Sequence, residues 1–200
     1  MKKWSVIMAL CISVNSFGQA WKDSVDTFRK NYQAAFLKEE RSPLKQADLG
    51  YLRFYEPDSL YQIEGIFKPS TDKKVLMFPT SSGQQKEYTK YGEISFELKG
   101  KKLQLNVYRS LSLMRIPLYK DYLFIPLKDV TSGKETYGGG RYLDAKMGDI
   151  QAGKIRLDFN KLYNPYCAFS EGFSCPIPPK ENHLPIAIEA GEKNFAKPKD

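Results

Sequence analysis

The chain has 200 residues, of which 42% are hydrophobic and 27% are charged, and its formal net charge is +8 at pH 7. A chain of this length is expected to bury a sizeable core as one domain. Basic and acidic residues are interleaved rather than grouped, which argues against a nucleic-acid-binding protein, because such a protein presents a clustered basic surface. The single histidine excludes metal sites built from two or three histidines.

The first twenty residues have the pattern of a secretory signal peptide. Two lysines precede the apolar run WSVIMALCISV, and Gly18 and Ala20 supply the small side chains that a signal peptidase requires. We therefore predict cleavage before Trp21 and an exported protein, periplasmic or extracellular. No later segment approaches the roughly 20 apolar residues of a membrane helix, so we predict no membrane anchor.

The segment after the signal peptide is expected to form one amphipathic helix. Apolar side chains recur there at steps of three and four residues, namely Trp21, Val25, Phe28, Tyr32, Ala35 and Phe36. The helix should end before Pro43, because proline disfavours helical backbone at the residue before it.

The remainder of the chain reads as strands and turns. Apolar and polar residues alternate in LYQIEGIFK, GEISFELKGKKLQLNVYRS and KIRLDFN, YLFIPL is apolar throughout, and HLPIAIEA completes the pattern. About eight strands and one N-terminal helix predict a mainly β fold, an antiparallel sandwich or an open barrel. We expect a single monomeric β-rich domain over residues 21–193, with a disordered tail at 194–200.

The glycine-rich segment TSGKETYGGGRYLD, residues 131–144, matches neither a P-loop nor a dinucleotide-binding fingerprint. Consecutive glycines can nevertheless let backbone N–H groups converge on an anion. We predict ligand contacts from Tyr137, Gly138, Gly139, Gly140 and Arg141. The alternative is a glycine bulge that turns the sheet and leaves the charges solvated.

Arg109 has the same alternation parity as Leu103, Leu105 and Val107, so strict alternation would turn its guanidinium inward. A buried guanidinium needs a carboxylate or an anionic ligand. The alternative is that Arg109 lies at the end of its strand and extends to solvent.

A proline-rich loop, residues 164–185, holds the two cysteines that remain after signal removal. A zinc site from Cys167, Cys175, His183 and Glu181 lacks the usual ligand spacing, and no C-x-x-C motif is present. In an oxidising compartment, two cysteines eight residues apart favour a disulfide over two free thiols. We predict the bond, and we predict no metal and no cofactor.

Three long motifs occur in one order: FIPLKDVTSGKETYGGGRYLD, DFNKLYNPYC and CPIPPKENHLPIAIEAGE. Together with the upstream PTSSGQQKEYTKYGEISFELKGKKLQLNVY, they resemble the domain of unknown function 1684 family of bacterial and archaeal proteins. The resemblance covers nearly all of the mature chain. It implies a single domain and no particular activity.

These features predict a protein that binds a small polar or anionic molecule in a cleft between the glycine-rich segment and the cysteine loop. Besides the glycine-segment residues, the predicted ligand contacts are Arg109, Asn160 and Asn182. We also expect four polar residues to surround one centre: Arg141, Asp158, Asn160 and Glu181.

Two alternatives stay open. The first is a hydrolase, because four carboxylates lie in the family-like motifs; Glu135, Asp158 and Glu181 are its candidate catalytic residues, and Asp144 is the fourth. The second is a structural, envelope-associated protein whose motifs serve folding.

Overall fold

The structure, a computed structural model, describes the backbone of residues 7–198 and the side chains of residues 19–198. The first six residues of the predicted signal peptide and the last two of the predicted tail lie outside the described residues. The chain divides into a helical unit up to Ser42 and a β unit from Pro43 onward. Among residues 7–198, no helix combines the length and the apolar character needed to cross a membrane.

The helical unit is formed by α1, Ile7–Lys38, which confirms the predicted N-terminal helix. Val25 and Phe36 on this helix are buried. Tyr32 and Phe36, four residues apart, meet edge to face with their ring centroids 4.9 Å apart, as side chains on one helix face should. The predicted cleavage point before Trp21 lies within this helix.

The β unit contains seven strands in one sheet: β1 Gln62–Pro69, β2 Val75–Pro79, β3 Gln85–Leu98, β4 Lys101–Ser110, β5 Tyr122–Leu127, β6 Arg141–Lys146 and β7 Lys154–Asp158. The strand order is β6-β5-β4-β3-β1-β7, with β2 paired to β3, and every pairing is antiparallel. The predicted mainly β, antiparallel fold is confirmed. A single sheet of seven strands fits the open-barrel form of the prediction better than a two-sheet sandwich.

The two faces of the sheet have different side chains. One face packs into the main aliphatic core, which includes Ile94, Leu105, Leu123 and Ile125. The other face carries an aromatic cluster: Phe78, Tyr88, Tyr108, Phe124 and Tyr142. Because Tyr108 pairs with Phe124 and Phe124 pairs with Asp144, that carboxylate lies on the aromatic face.

Residues 183–190, predicted as a strand, run beside the sheet without forming a regular ladder. Leu184 N donates to Lys128 O at 2.8 Å, but Ile188 N donates to the Asp129 carboxylate instead of a backbone carbonyl, and Pro185 has no N–H to donate. Alternate apolar side chains still point inward, as the pattern predicts, and these are Leu184, Ile186, Ile188 and Ala190. A side-chain acceptor therefore replaces part of the expected strand pairing.

The predicted disordered tail begins with residues that make defined contacts. Asn194 N donates to Glu135 O at 2.9 Å, and Ala196 N donates to Tyr51 O at 3.1 Å. The first residues of the tail are therefore hydrogen-bonded to two separate segments of the β unit.

Candidate functional site

The proline-rich loop is closed by a bond between Cys167 and Cys175, whose Cα atoms are 6.3 Å apart. The predicted disulfide is therefore present. The loop is fastened to the end of β2, where Ser81 N donates to Cys175 O at 2.9 Å and Cys175 N donates to Ser81 Oγ at 3.1 Å. Tyr137 Oη donates to Cys167 O at 3.3 Å and ties the loop to the glycine-rich segment. Burial raises the pKa of Tyr137, so this phenol remains a donor.

The glycine-rich segment packs directly against the proline-rich loop at Gly140. This residue has φ of +92°, and a Cβ atom there would lie 2.7 Å from both Leu127 O and Pro178 Cγ. Only glycine combines that dihedral angle with so close an approach. The two segments predicted to border a cleft therefore do meet.

Arg141 follows Gly140 but does not face solvent. Its side chain is fully buried, and Nη2 lies 2.9 Å from Asp129 Oδ2, whose side chain is also fully buried. The guanidinium also donates to the carbonyl groups of Ile188, Ala190 and Glu192. These contacts hold the C-terminal segment, so the guanidinium is engaged within the protein.

Two predicted ligand-binding amides are engaged with the backbone. The Asn160 side chain accepts from Asp58 N and donates to Asp58 O, both at 2.9 Å, and it also donates to Asp158 Oδ1. The Asn182 side chain accepts from Asn106 N at 2.8 Å and donates to the carbonyl oxygen of the same residue at 2.9 Å. Each amide thus joins two segments of the chain.

The predicted common centre of Arg141, Asp158, Asn160 and Glu181 is not formed by these hydrogen bonds. The Arg141 bonds end on Asp129 and the C-terminal segment, whereas the Asn160 bonds end on Asp158 and the residue 58 backbone. The reason is physical: buried polar groups must be hydrogen-bonded, and the backbone partners of Arg141 and of Asn160 belong to two different segments, residues 188–192 and residue 58. Glu181 is exposed.

The other predicted side chains are spread over the β unit. Arg109 is half-buried; it donates from Nη2 to Lys120 O and lies over the Tyr91 ring, with its Cζ 5.9 Å from the ring centroid. Glu135 is exposed, and Gly138 borders a small cleft next to Lys128. Within residues 19–198, Arg109 makes no ion pair with a carboxylate.

A cleft of about 260 Å³ lies where the glycine-rich segment meets the proline-rich loop. It is lined by Lys128, Asp129, Val130, Ser132, Gly138, His183 and Leu184. Lys128 and His183 are bridge partners in a short parallel pairing, in which Lys128 N donates to Asn182 O at 3.1 Å. This pairing places a lysine and a histidine side by side from segments that are 55 residues apart in the sequence, and His183 Nε2 lies 3.1 Å from Pro178 O.

The local backbone explains how the cleft wall is built. Asp129 N donates to Ser132 Oγ at 3.1 Å, and the N–H and hydroxyl groups of Thr131 both donate to Asp129 Oδ1. Thr131 and Thr136 hydroxyl groups lie 2.9 Å apart and close the turn. Lys128 and Ser132 both line the cleft, and an ammonium and a hydroxyl group are of the kind that can hold a small anion by charge and hydrogen bonding.

Sequence reasoning did not single out Lys128, which lines this cleft. The residue follows the apolar run YLFIPL and carries no motif of its own, and its pairing with residue 183 is a long-range contact. His183 is not among the ligand contacts that the sequence predicts. No local pattern signals such a pairing, although alternation after Leu127 does place Lys128 on the opposite side of the strand from that core residue.

Comparison with known proteins identifies relatives of this fold. The family model described as "Protein of unknown function (DUF1684)" matches residues 48–193. The solution NMR structure of an uncharacterized protein from Haloarcula marismortui is similar, with a TM-score of 0.68 and 30% sequence identity, over 90% of this chain and 97% of that chain. No curated protein matches the chain. The family model spans more than half of the chain and includes all three sequence motifs, so this chain belongs to the DUF1684 family.

Proposed function

We propose that this is an exported protein that binds a small anionic molecule in the cleft beside Lys128 and His183. The observation that carries the proposal is the pairing of these two residues at the rim of one cleft. Bridge partners lie side by side, so their side chains leave the backbone on the same side. Asp129, the next residue, is buried, which agrees with Lys128 pointing outward.

Asp129 also lines the cleft, but its negative charge does not repel an anion there. Asp129 Oδ2 is paired with Arg141, and Asp129 Oδ1 accepts from Thr131 and from Ile188 N. Because its charge is balanced internally, the charge that an incoming molecule meets is the Lys128 ammonium group. A ligand carboxylate or phosphate oxygen can accept from that group and from the Ser132 hydroxyl group.

The cleft volume favours a small ligand. Pockets for drug-sized molecules measure roughly 300–1,000 Å³, and this cleft measures about 260 Å³. Inorganic phosphate or a short carboxylic acid fits such a space better than a nucleotide or an oligosaccharide. The disulfide and the Tyr137–Cys167 hydrogen bond support one wall, and preformed walls reduce the entropy cost of binding.

The hydrolase alternative receives less support. Paired carboxylate acid/base chemistry needs two carboxylates that face a shared centre. Glu135 and Glu181 are exposed, whereas Asp158 is buried and accepts two hydrogen bonds from Asn160. Nothing in these contacts pairs the three candidates. Export itself is supported by the signal-peptide pattern and agrees with the disulfide.

The binding proposal is tested by titrating the mature protein with sodium phosphate and, separately, sodium succinate at low ionic strength, using calorimetry. We expect saturable binding of at least one anion, weakened about tenfold or more in Lys128→Gln. Lys102→Gln, which removes an exposed lysine from β4, is the matched control and should bind as the wild type does. No saturable binding, or equal weakening by the two substitutions, would rule out the cleft.

A further inference from the structure

Strand β6 carries a carboxylate that the anion cleft does not use. Tyr122 Oη donates to Asp144 Oδ1 at 2.7 Å, and Tyr163 Oη donates to the same oxygen at 2.8 Å. The carboxylate keeps part of its surface exposed although it stands on the aromatic face of the sheet. Both phenols therefore fix its orientation from one side, and Oδ2 accepts no hydrogen bond from any described residue.

Asp144 has no cationic partner within residues 19–198. It takes part in none of the ion pairs found there. Lys146 follows two residues later in β6 and pairs across the sheet with Tyr122, yet it makes no ion pair with Asp144. Aromatic neighbours remove part of the hydration of this carboxylate, and a cation beside it would offset that loss.

The two tyrosines that bond to this carboxylate pack against further aromatic rings. Tyr163 meets Tyr142 edge-on with ring centroids 5.9 Å apart, and Tyr122 meets the exposed Tyr119 edge-on at 6.2 Å. Rings of this kind attract a cation placed near their faces. The combination of one oriented carboxylate and several tyrosines differs from the lysine-bearing cleft and suits a ligand of opposite charge.

We propose that Asp144, with Tyr122 and Tyr163, binds the ammonium group of a small primary amine. Asp144 Oδ2 accepts one N–H of the ligand. The Tyr122 hydroxyl, which donates to Oδ1 and also hydrogen-bonds with Tyr163, keeps a lone pair to accept a second. Tyr163 holds the carboxylate in position. A primary ammonium group fits better than a quaternary one, because oxygen acceptors and not only ring faces line the site.

Burial among the aromatic side chains raises the pKa of Asp144, and the hydrogen bonds from Tyr122 and Tyr163 offset part of that rise. A bound ammonium group lowers the pKa of Asp144, since a neighbouring positive charge favours the ionised carboxylate. Binding therefore adds a counter-charge to a carboxylate that has lost part of its hydration.

The test is a titration of the ¹⁵N-labelled mature protein with n-butylammonium chloride in an amine-free buffer, followed by amide chemical shifts. Uncharged n-butanol is the matched ligand control, and Glu97→Gln, which removes an exposed carboxylate from β3, is the matched protein control. We expect saturable shifts at residues 122, 144 and 163 with the ammonium ion only. Asp144→Asn should weaken binding about tenfold or more, and Glu97→Gln should not.

Tyr122→Phe provides a second variant if Asp144→Asn fails to fold, because it removes one acceptor and leaves the carboxylate. Reduced affinity for n-butylammonium in a folded Tyr122→Phe protein supports the site. The inference is overturned if the ammonium ion shifts no amide near these residues, if n-butanol gives the same shifts, or if a folded Asp144→Asn protein binds as the wild type does.

Discussion

Arg141 and Asp129 form an ion pair in which neither side chain is exposed to solvent, and their nearest atoms, Nη2 and Oδ2, are 2.9 Å apart. The pair connects the start of β6 to the turn after β5. Through the carbonyl groups of Ile188 and Glu192, the same guanidinium holds the C-terminal segment. The residue expected to contact a ligand thus organises the fold.

Replacing Arg141 should therefore destabilise the protein. Removing one partner of a buried ion pair costs about 3–5 kcal/mol, because the remaining charge is left uncompensated. We expect Arg141→Ala to lower the free energy of unfolding by that amount in a urea titration, and Arg141→Lys to lower it less. Lys154→Ala, which breaks the exposed Lys154–Glu64 pair, is the control and should cost about 1 kcal/mol or less. An Arg141→Lys protein as stable as the wild type would contradict this role.

Two of the three consecutive glycines should respond differently to alanine. Gly140 has positive φ and no space for a Cβ atom, whereas Gly138 meets nothing closer than 3.4 Å, at Gly133 Cα. Gly140→Ala should thus lower the free energy of unfolding by more than about 1–2 kcal/mol. A loss of that size lowers the melting temperature by several degrees or more. Gly138→Ala should change it little. Equal effects of the two substitutions would show that neither the positive φ of Gly140 nor its close approach to Pro178 matters for stability.

The sequence predicted the parts of the fold that depend on short-range patterns. Alternation in the segment containing Ile94 and Phe96, and in that containing Leu105 and Val107, identified β3 and β4, because burial of one face requires a period of two. The helix was equally clear from its periodicity. The disulfide followed from two cysteines on one short loop.

The polar partners could not be predicted in the same way. Arg141 bonds to Asp129 and to residues about 50 positions later, and Lys128 pairs with His183. Such contacts depend on the register of distant segments, which no local pattern encodes. Arg141 next to glycines therefore looked like an anion-binding residue, although its anionic partner lay within the chain.

The disulfide predicts a measurable difference between oxidised and reduced protein. Closing so short a loop restricts the unfolded chain and contributes about 2–3 kcal/mol to stability by the chain-entropy estimate. The variant with both Cys167→Ala and Cys175→Ala should unfold at correspondingly lower urea concentration. Intact-mass measurement of secreted protein, before and after reduction and alkylation, checks the bond and the predicted start at Trp21. Two cysteines that are alkylated without reduction would disprove the bond.

Asp144 should make the stability depend on pH in a defined direction. Burial raises the pKa of its carboxyl group in the folded protein. A group with a raised folded-state pKa contributes to folding stability. That contribution is fully present below the unfolded-state pKa and is lost as the pH rises through the folded-state pKa. Asp144→Asn cannot ionise, and its amide oxygen can still accept from Tyr122 and Tyr163. The wild type should therefore lose stability relative to Asp144→Asn as the pH rises from the ordinary carboxyl range toward neutrality.

The measurement is the difference in unfolding free energy between wild type and Asp144→Asn at about pH 4 and about pH 7, without amines in the buffer. Glu97→Gln, which also removes one negative charge from the sheet, controls for the change in net charge. Addition of n-butylammonium chloride at neutral pH should narrow the difference, because a bound cation stabilises the ionised form of the wild type alone. A difference that does not change with pH would mean that the carboxylate is as well solvated in the folded protein as in the unfolded chain.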